Sequence, residues 1–338
     1  MTDKINMRLI DEIKEKAKKN PQNIVLAEGE DERTIRASII ALNEGIAIPV
    51  MVGDKQKIMA IADPLGISLD GIEIIDPKSS PNIDRYSEIY MESRGDRRIT
   101  KGMAEKLLRR TLYYSAMMVT AGDAKGMVAG CTSLTATVVV ASQLMIGLRE
   151  GISSPSSFFI MSVPDCPYGE NGNFIYADAG VNPDPTPQEL AEIAIASAQS
   201  AIDLGWQPRI AMLSFSTKGS ANHKRVDKVI EATKIAKEMA PDLMIDGEFQ
   251  LDSAIVPQVA ERKVKEPSDV AGRANILIFP DLDAGNISYK ITQYLAKAEA
   301  YGPLLQGFNK PVNDLSRGAS VDDIVGVIAF TSVQAQKA

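Results

Sequence analysis

The chain has 338 residues, 45% of them hydrophobic and 24% charged, and a net charge of −7 at pH 7. That length exceeds what one core usually organises, so two domains, or one large α/β domain with a deep insertion, are expected. The acidic balance argues against a nucleic-acid surface, and no apolar run approaches the ~18 residues of a membrane-spanning helix, so neither nucleic acid nor membrane is an expected partner.

The first twenty residues, MTDKINMRLIDEIKEKAKKN, read as a charged amphipathic helix without the apolar stretch of a signal peptide. The two cysteines, Cys131 and Cys166, are too few and too far apart for a disulfide scaffold, which fits a reducing cytoplasm. Apolar runs at 23–27, 48–53 and 72–75 predict strands. Between the first two, Ile35, Ile39 and Leu42 keep helical spacing. Further strands are predicted at 117–119, 158–161, 210–214 and 276–280. Strands alternating with helices of 10–15 residues indicate βαβ units and mainly parallel sheets flanked by helices. The segment 151-GISSPSS-157 suits either a crossing between domains or a surface loop inside one; with a crossing there, the expected division is 1–150 plus 302–338 as one α/β domain and 151–301 as the other.

In open α/β sheets ligands sit beyond the carboxyl ends of the strands. Three late strand-end loops, 214–229, 280–291 and 306–318, carry hydroxyls, glycines and a base, the composition expected where backbone N–H groups hold a phosphate. In the first, 216-STKGS-220 supplies Ser216, Thr217, Lys218 and Ser220. Its spacing matches neither a P-loop nor a dinucleotide fingerprint, so a plain strand-to-helix turn competes with a ligand loop. Asp281 and Asp283 could serve a divalent cation or simply make a turn beside Gly285 and Asn286. The single histidine, His223, leaves no room for a His-rich zinc site; at the apparent start of a helix it reads as a surface or ligand-loop residue. Near the C-terminus, 313-NDLSRG-318 reads as a turn-rich, ligand-facing piece. Ser320-x-x-Asp323 ahead of Ile324 and Val325 reads as a capping box.

Taken together, 177-ADAGVNPDPTPQELAEIAIASAQSA-201, 211-AMLSFSTKGSANHKRVDKV-229, 246-DGEFQLDSAIVP-257, 271-AGRANILIFPDLDAGNISYK-290 and 301-YGPLLQGFNKPVNDLSRGASVDDIV-325 resemble the phosphate acetyltransferases of the phosphate acetyl/butyryltransferase superfamily. The last two stretches are the most specific, and the likeness covers nearly the whole chain. The resemblance implies reversible transfer of an acetyl group between coenzyme A and phosphate. It also implies two α/β domains with an active site in the cleft between them, a fold similar to the isocitrate and isopropylmalate dehydrogenases, a homodimer, and functional coupling to acetate kinase. It places the catalytic group on Ser316, Arg317 and Asp323, and substrate binding on Arg98, Ser216, Thr217, Lys218, Ser220, Asn286, Tyr289 and Lys290. Acetyl-CoA, CoA, phosphate and acetyl phosphate are then substrates, with no redox cofactor and no metal. One position departs from the family pattern: Val140 stands where an arginine is usual after the Thr-rich stretch 132–143.

The chemistry sets three tasks: deprotonate the CoA thiol, stabilise a tetrahedral oxyanion, and hold phosphate. A guanidinium fork at Arg317 suits the phosphate, and a Ser316 hydroxyl suits the oxyanion. Asp323 is left as the base, with its role as a helix cap a competing reading. An unperturbed aspartate and a thiol differ by about 4.6 in pKa, so full ground-state proton transfer costs roughly 6 kcal/mol. Desolvation of the carboxylate, a nearby guanidinium, or transfer concerted with attack would close that gap. Cys131 reads as a small buried residue rather than an acyl carrier. Rival readings are another acyl specificity such as butyryl, a metal-dependent decarboxylating dehydrogenase, and a non-catalytic homologue.

Overall fold

The computed structural model describes residues 8–95 and 99–337. These divide into two compact units, 1–147 with 308–338 and 148–307. The first unit runs α1 (Leu9–Lys18), β1 (Gln22–Leu26), α2 (Glu32–Asn43), β2 (Ala47–Val52), α3 (Lys55–Ala62) and β3 (Glu73–Ile75). It continues through α4 (Ile83–Arg94), α5 (Lys101–Leu108), α6 (Thr111–Ala121), β4 (Gly126–Ala129) and α7 (Thr135–Met145). The second unit comprises β5 (Ser156–Ser162), β6 (Asn173–Ala177), α8 (Pro187–Asp203), β7 (Arg209–Leu213), α9 (Lys224–Met239) and β8 (Met244–Phe249). It ends with α10 (Leu251–Ile255), α11 (Pro257–Lys263), β9 (Ile276–Ile278), α12 (Leu282–Leu295) and β10 (Glu299–Gln306). The chain then returns to the first unit with β11 (Val312–Asp314) and α13 (Val321–Ala335).

The first unit is a five-stranded parallel sheet of order β11-β4-β1-β2-β3. Its central strand β1 is apolar on both sides because helices cover both faces: α13 lies across β1 and β4 with α1 and α2 beside it, and α6 lies across β1, β2 and β4. Parallel order sends the carboxyl ends of β11, β4 and β1 to one edge, side by side. The second unit is a six-stranded sheet of order β10-β5-β6-β9-β7-β8, parallel from β6 to β8 and antiparallel across β5. One of its faces buries an aromatic cluster of Phe159, Phe174, Tyr176, Phe249 and Phe279. Elsewhere in this unit, Gln306 at the end of β10 makes a buried polar knot. Its Nε2 donates to Ser156 Oγ at 3.0 Å and Ser197 Oγ at 2.9 Å, and its Oε1 accepts from Ser200 Oγ at 3.0 Å. Among the described residues, no helix is long and apolar enough to cross a membrane.

Two local expectations are corrected. Residues 117–119 lie inside α6, not in a strand, and the true strand is the short β4. Leu112 to Val119 are all buried, so this helix is apolar all round and shows no readable period. Asn313 and Asp314 lie in β11 rather than in a turn: Asn313 pairs with Val128 and Asp314 with Ala129. The Asn313 amide donates to Thr331 Oγ1 at 2.9 Å and Gln334 Oε1 at 2.7 Å, tying this edge strand to α13. Tertiary partners here outweigh the turn preference of an Asn-Asp pair.

Candidate functional site

Three consecutive strand ends of the first unit, those of β11, β4 and β1, are joined by two side chains from the segment after β1. The Glu28 carboxylate accepts from the amides of Gly130 (2.9 Å), Thr132 (3.2 Å) and Ser133 (2.8 Å), and from the Thr132 hydroxyl (2.9 Å). It thereby shapes the loop after β4. Arg33 does the same for the loop after β11. Its guanidinium grips Asp31 through Nε (3.0 Å) and Nη2 (2.8 Å) and donates from Nη2 to Cys131 O (3.0 Å). From Nη1 it donates to Arg317 O (2.8 Å) and Ala319 O (3.0 Å). Hydrogen bonds from Arg33 hold the Asp31 carboxyl below the ordinary carboxylate range, against the upward pull of burial. The Cys131 thiol, buried after β4, is pushed up to about 11 by that burial, so it stays protonated.

On this frame Ser316, Arg317 and Gly318 form an exposed turn, with Ser316 Oγ accepting from the Gly318 amide at 3.2 Å and Ser316 O from the Ala319 amide at 2.9 Å. The Arg317 backbone is fixed through its carbonyl, while its exposed guanidinium makes no ion pair with the described residues. Ser320 caps α13, and Asp323 completes a capping box. The Asp323 amide donates to Ser320 Oγ (3.2 Å), and the Ser320 amide (2.9 Å) and hydroxyl (2.8 Å) both donate to Asp323 Oδ2. The cap therefore leaves Oδ1 of an exposed carboxylate out of its geometry. Asp314, two residues before Ser316, is 1% exposed. Its Oδ2 accepts from Thr135 Oγ1 at 2.5 Å, whereas its buried Oδ1 has no hydrogen-bond partner among the described residues. Burial pushes its carboxyl up to about 6, against the Thr135 bond and the Leu315 amide, and with the Glu28 charge adding to the rise.

The predicted loop of the second unit is bonded inward. Ser216 Oγ donates to Glu248 Oε1 at 2.8 Å, and the Gly219 amide donates to the same oxygen at 2.8 Å. Thr217 Oγ1 accepts from the Gln250 amide at 2.9 Å, and Ser220 Oγ accepts from the Thr217 amide at 3.0 Å. Lys218 sits at φ 47° and donates to Asp246 Oδ1 and Gly247 O, both at 2.7 Å. Burial pulls the Asp246 carboxyl up, but its bonds to Lys218, Lys237 and Ser268 prevail and hold it below the ordinary value. On α12, the Asn286 amide donates to Ala179 O at 3.1 Å and Tyr289 stacks on Phe159 at 4.0 Å between ring centroids. Lys290 lies over the Tyr289 ring at 5.8 Å. Asp281 is the N-cap of α12, accepting from the Ala284 amide, and Asp283 lies in its first turn. His223 caps α9 with Nδ1 accepting from the Arg225 amide at 3.2 Å. Val140 is exposed on α7. Arg98 lies outside the described residues.

The structure thus places Ser316 and Arg317 in the turn after β11 and Asp323 in the first turn of α13, all in the first unit, and Ser216, Thr217, Lys218 and Ser220 in one loop of the second. Sequence reasoning missed Glu28, Arg33, Gly130 and Asp314. The available signal was the dense charge of 28-EGEDER-33 directly after a strand, where ligand-proximal residues collect.

A model of the family described as phosphate acetyl/butaryl transferase matches residues 8–332. A phosphate acetyltransferase of Thermoanaerobacterium thermosaccharolyticum is 51% identical over 98% of this chain and 100% of that one. One from Acetivibrio thermocellus is 48% identical, over 98% and 99%. The crystal structure of a phosphotransacetylase from Streptococcus pyogenes superposes with a TM-score of 0.91 at 42% identity, covering 98% of each chain.

Proposed function

The chain belongs to the phosphate acetyl/butaryl transferase family, and on that premise we propose the exposed turn after β11 as the centre of its reaction. The enzyme transfers an acetyl group reversibly between coenzyme A and phosphate: acetyl-CoA and phosphate give CoA and acetyl phosphate. The observation that carries the site is Arg317. Its backbone is pinned by Arg33 while its guanidinium, free of ion pairs with the described residues, is exposed in the turn that also carries Ser316. An exposed guanidinium fork on an anchored backbone suits the oxygens of phosphate or of an acyl phosphate.

In the direction that makes the thioester, the CoA thiol gives its proton to Asp323 Oδ1 as the sulfur attacks the acetyl carbonyl. The carbon–sulfur bond forms, the oxyanion takes a hydrogen bond from Ser316, and the carbon–oxygen bond to phosphate breaks with the phosphate held by Arg317. Loss of one oxyanion donor typically costs about 3 kcal/mol of barrier. Transfer is direct, in a ternary complex. An acyl-enzyme on Cys131 is disfavoured because that thiol is buried and protonated. Arg98, the 216–220 loop, Asn286, Tyr289 and Lys290 are assigned to substrate binding. For the loop, whose side chains bond inward, the assignment falls on its backbone and on groups released when substrate arrives. The reaction changes no oxidation state and the three tasks fall to protein side chains, so neither redox cofactor nor metal is called for. Two free thiols and a thiol substrate suit a cytoplasmic setting.

Cap and base are separable. Asp323→Asn keeps an acceptor for Ser320 and removes the base, so kcat should fall roughly 10²–10³-fold with little change in melting temperature. Ser320→Ala should lower stability by about 1 kcal/mol with kcat near wild type. Equal, stability-linked losses in both would leave Asp323 as a cap alone. The activity itself is tested by following thioester absorbance from CoA with acetyl, propionyl and butyryl phosphate, with and without chelator. Rapid chelator-resistant turnover that favours acetyl phosphate is expected; preference for butyryl phosphate would move the protein to the other branch. No thioester from any acyl phosphate would overturn the reading.

The proposal includes a homodimer that supplies or consumes acetyl phosphate in concert with an acetate kinase. The support for the dimer is α12. Among its residues only Gly285 is buried, while Ile287, Ile291, Tyr294 and Leu295 form an exposed apolar stripe at helical spacing, Leu295 being 79% exposed. Light scattering should show a dimer for the wild type and a monomer for Ile291→Asp combined with Leu295→Asp. A wild-type monomer would remove the dimer from the proposal.

A further inference from the structure

Asp314 is an expensive residue to keep where it is. A buried carboxylate normally gathers several donors, as even the half-buried Glu28 does nearby, because a charge removed from water with few partners is strongly disfavoured. Among the described residues Asp314 has one side-chain donor, the Thr135 hydroxyl in the first turn of α7, and its second oxygen is buried without a hydrogen bond. Buried unsatisfied groups are rare enough in native proteins that each calls for a reason.

The surroundings supply one. Asp314 is the last residue of β11, and the chain beyond it carries Leu315, Ser316 and Arg317. The Leu315 amide lies alongside the carboxylate and favours its charged form. The end of β4 is hollowed to admit both: at Gly130, whose φ is +115°, an added Cβ would sit 2.4 Å from Asp314 Oδ1 and 2.5 Å from Leu315 N. The carboxylate therefore occupies the one place where the start of α7, the end of β4 and the first peptide of the Ser316–Arg317 turn come together. A Thr135–carboxylate bond on one side and the Gly130 backbone on the other leave the Leu315 peptide little freedom.

We propose that Asp314 is a positioning residue for acyl transfer, using Thr135 and Gly130 to set the direction in which the chain leaves β11 and hence the placement of Ser316 and Arg317. This rests on the reading that Ser316 and Arg317 act on the acyl phosphate. The charge is retained despite its cost because the geometry of that turn depends on it, in the way that strained or poorly satisfied groups concentrate beside reacting centres.

The test uses the full chain and four kinds of variant: Asp314→Asn, Thr135→Val, Thr135→Ser, and the pair Ser316→Ala and Arg317→Ala as controls. In the thioester-forming direction Asp314→Asn and Thr135→Val should each lower kcat at least tenfold. The KM for CoA should stay within twofold and the melting temperature within a few degrees. Thr135→Ser, which keeps the hydroxyl, should return kcat to within twofold of wild type. Combining Asp314→Asn with Thr135→Val should cost no more than the worse single change, because one removes the charge and the other the hydroxyl from a single Thr135–carboxylate contact. Wild-type kcat in Asp314→Asn and Thr135→Val, or losses in which KM for CoA rises with kcat unchanged, would overturn the inference. If Asp314→Asn does not fold, Thr135→Val and Thr135→Ser decide it on the same criteria. Impaired Ser316→Ala and Arg317→Ala beside unimpaired Asp314→Asn and Thr135→Val would discard this inference and keep the site. Wild-type kinetics in Ser316→Ala and Arg317→Ala would discard the site itself.

Discussion

Gly130→Ala is expected to be among the most damaging single substitutions in the first unit. The new Cβ would lie 2.4 Å from Asp314 Oδ1, 2.5 Å from Leu315 N and 2.6 Å from Leu315 O, at a φ of +115°. Two of those atoms are backbone and cannot swing aside. β11 would have to move off β4, or the carboxylate would have to leave its place. Overpacking of this kind costs ~1–3 kcal/mol, and the disfavoured φ adds ~1–2 kcal/mol. A total of about 3 kcal/mol corresponds to a fall in melting temperature of roughly 6–12 °C for a unit of this size. Turnover should fall with it, by more than tenfold, since the displaced atoms lead directly into Ser316. Gly102→Ala is the matched control. A Cβ there meets nothing within 4 Å, and the position lies in α5, where alanine is favoured over glycine by about 1 kcal/mol. Thermal melts and kcat for the two variants should therefore diverge in sign or nearly so. A Gly130→Ala protein that melts and turns over like wild type would show that β11 and β4 are not held as closely as the structure has them.

Local chemistry made some of this readable and tertiary context hid the rest. The runs at 23–27, 210–214 and 276–280 were legible because strands buried on both faces must be apolar throughout. The Ser320–Asp323 box was legible because capping is a rule over four residues. Helix α6 was misread for the same reason that β1 was read: a segment buried all round loses the period that separates the two states. β11 was hidden because Asn313 and Asp314 carry turn chemistry, and only pairing with β4 and the contacts of Asn313 with α13 make a strand of them. The 216–220 loop shows the limit from the other side. Hydroxyls, glycine and lysine are equally what a phosphate loop needs and what a self-bonded loop needs, and Asp246 and Glu248, some thirty residues later, take up much of its bonding. Substrate identity came from resemblance to a family. Glu28 and Arg33 could only look like the solvated start of a helix until three strand ends stood side by side.

Arg33 carries the second large effect, and it separates fold from function. Its N–H groups reach Asp31, Cys131 O, Arg317 O and Ala319 O. Arg33→Ala removes the donor from three backbone carbonyls in two different loops. The side chain is 30% exposed, so water can replace much of what is lost, and the stability cost should be modest, about 1–2 kcal/mol. The turn bearing Ser316 and Arg317, however, loses both tethers from Arg33, and a displacement of about 1 Å at a reacting group can cost on the order of 10² in rate. Turnover should therefore fall by about that factor while most of the fold survives. Arg33→Lys is the sharper variant. An ammonium retains the charge but cannot span a carboxylate on one side and two carbonyls on the other with fixed, planar donors. Its kcat should stay at least tenfold below wild type, and guanidinium ion added to Arg33→Ala should restore more activity than ammonium does. If Arg33→Lys instead turns over like wild type, charge near Asp31 is all the site requires. The planar fork would then not be what holds the Ser316–Arg317 turn for catalysis.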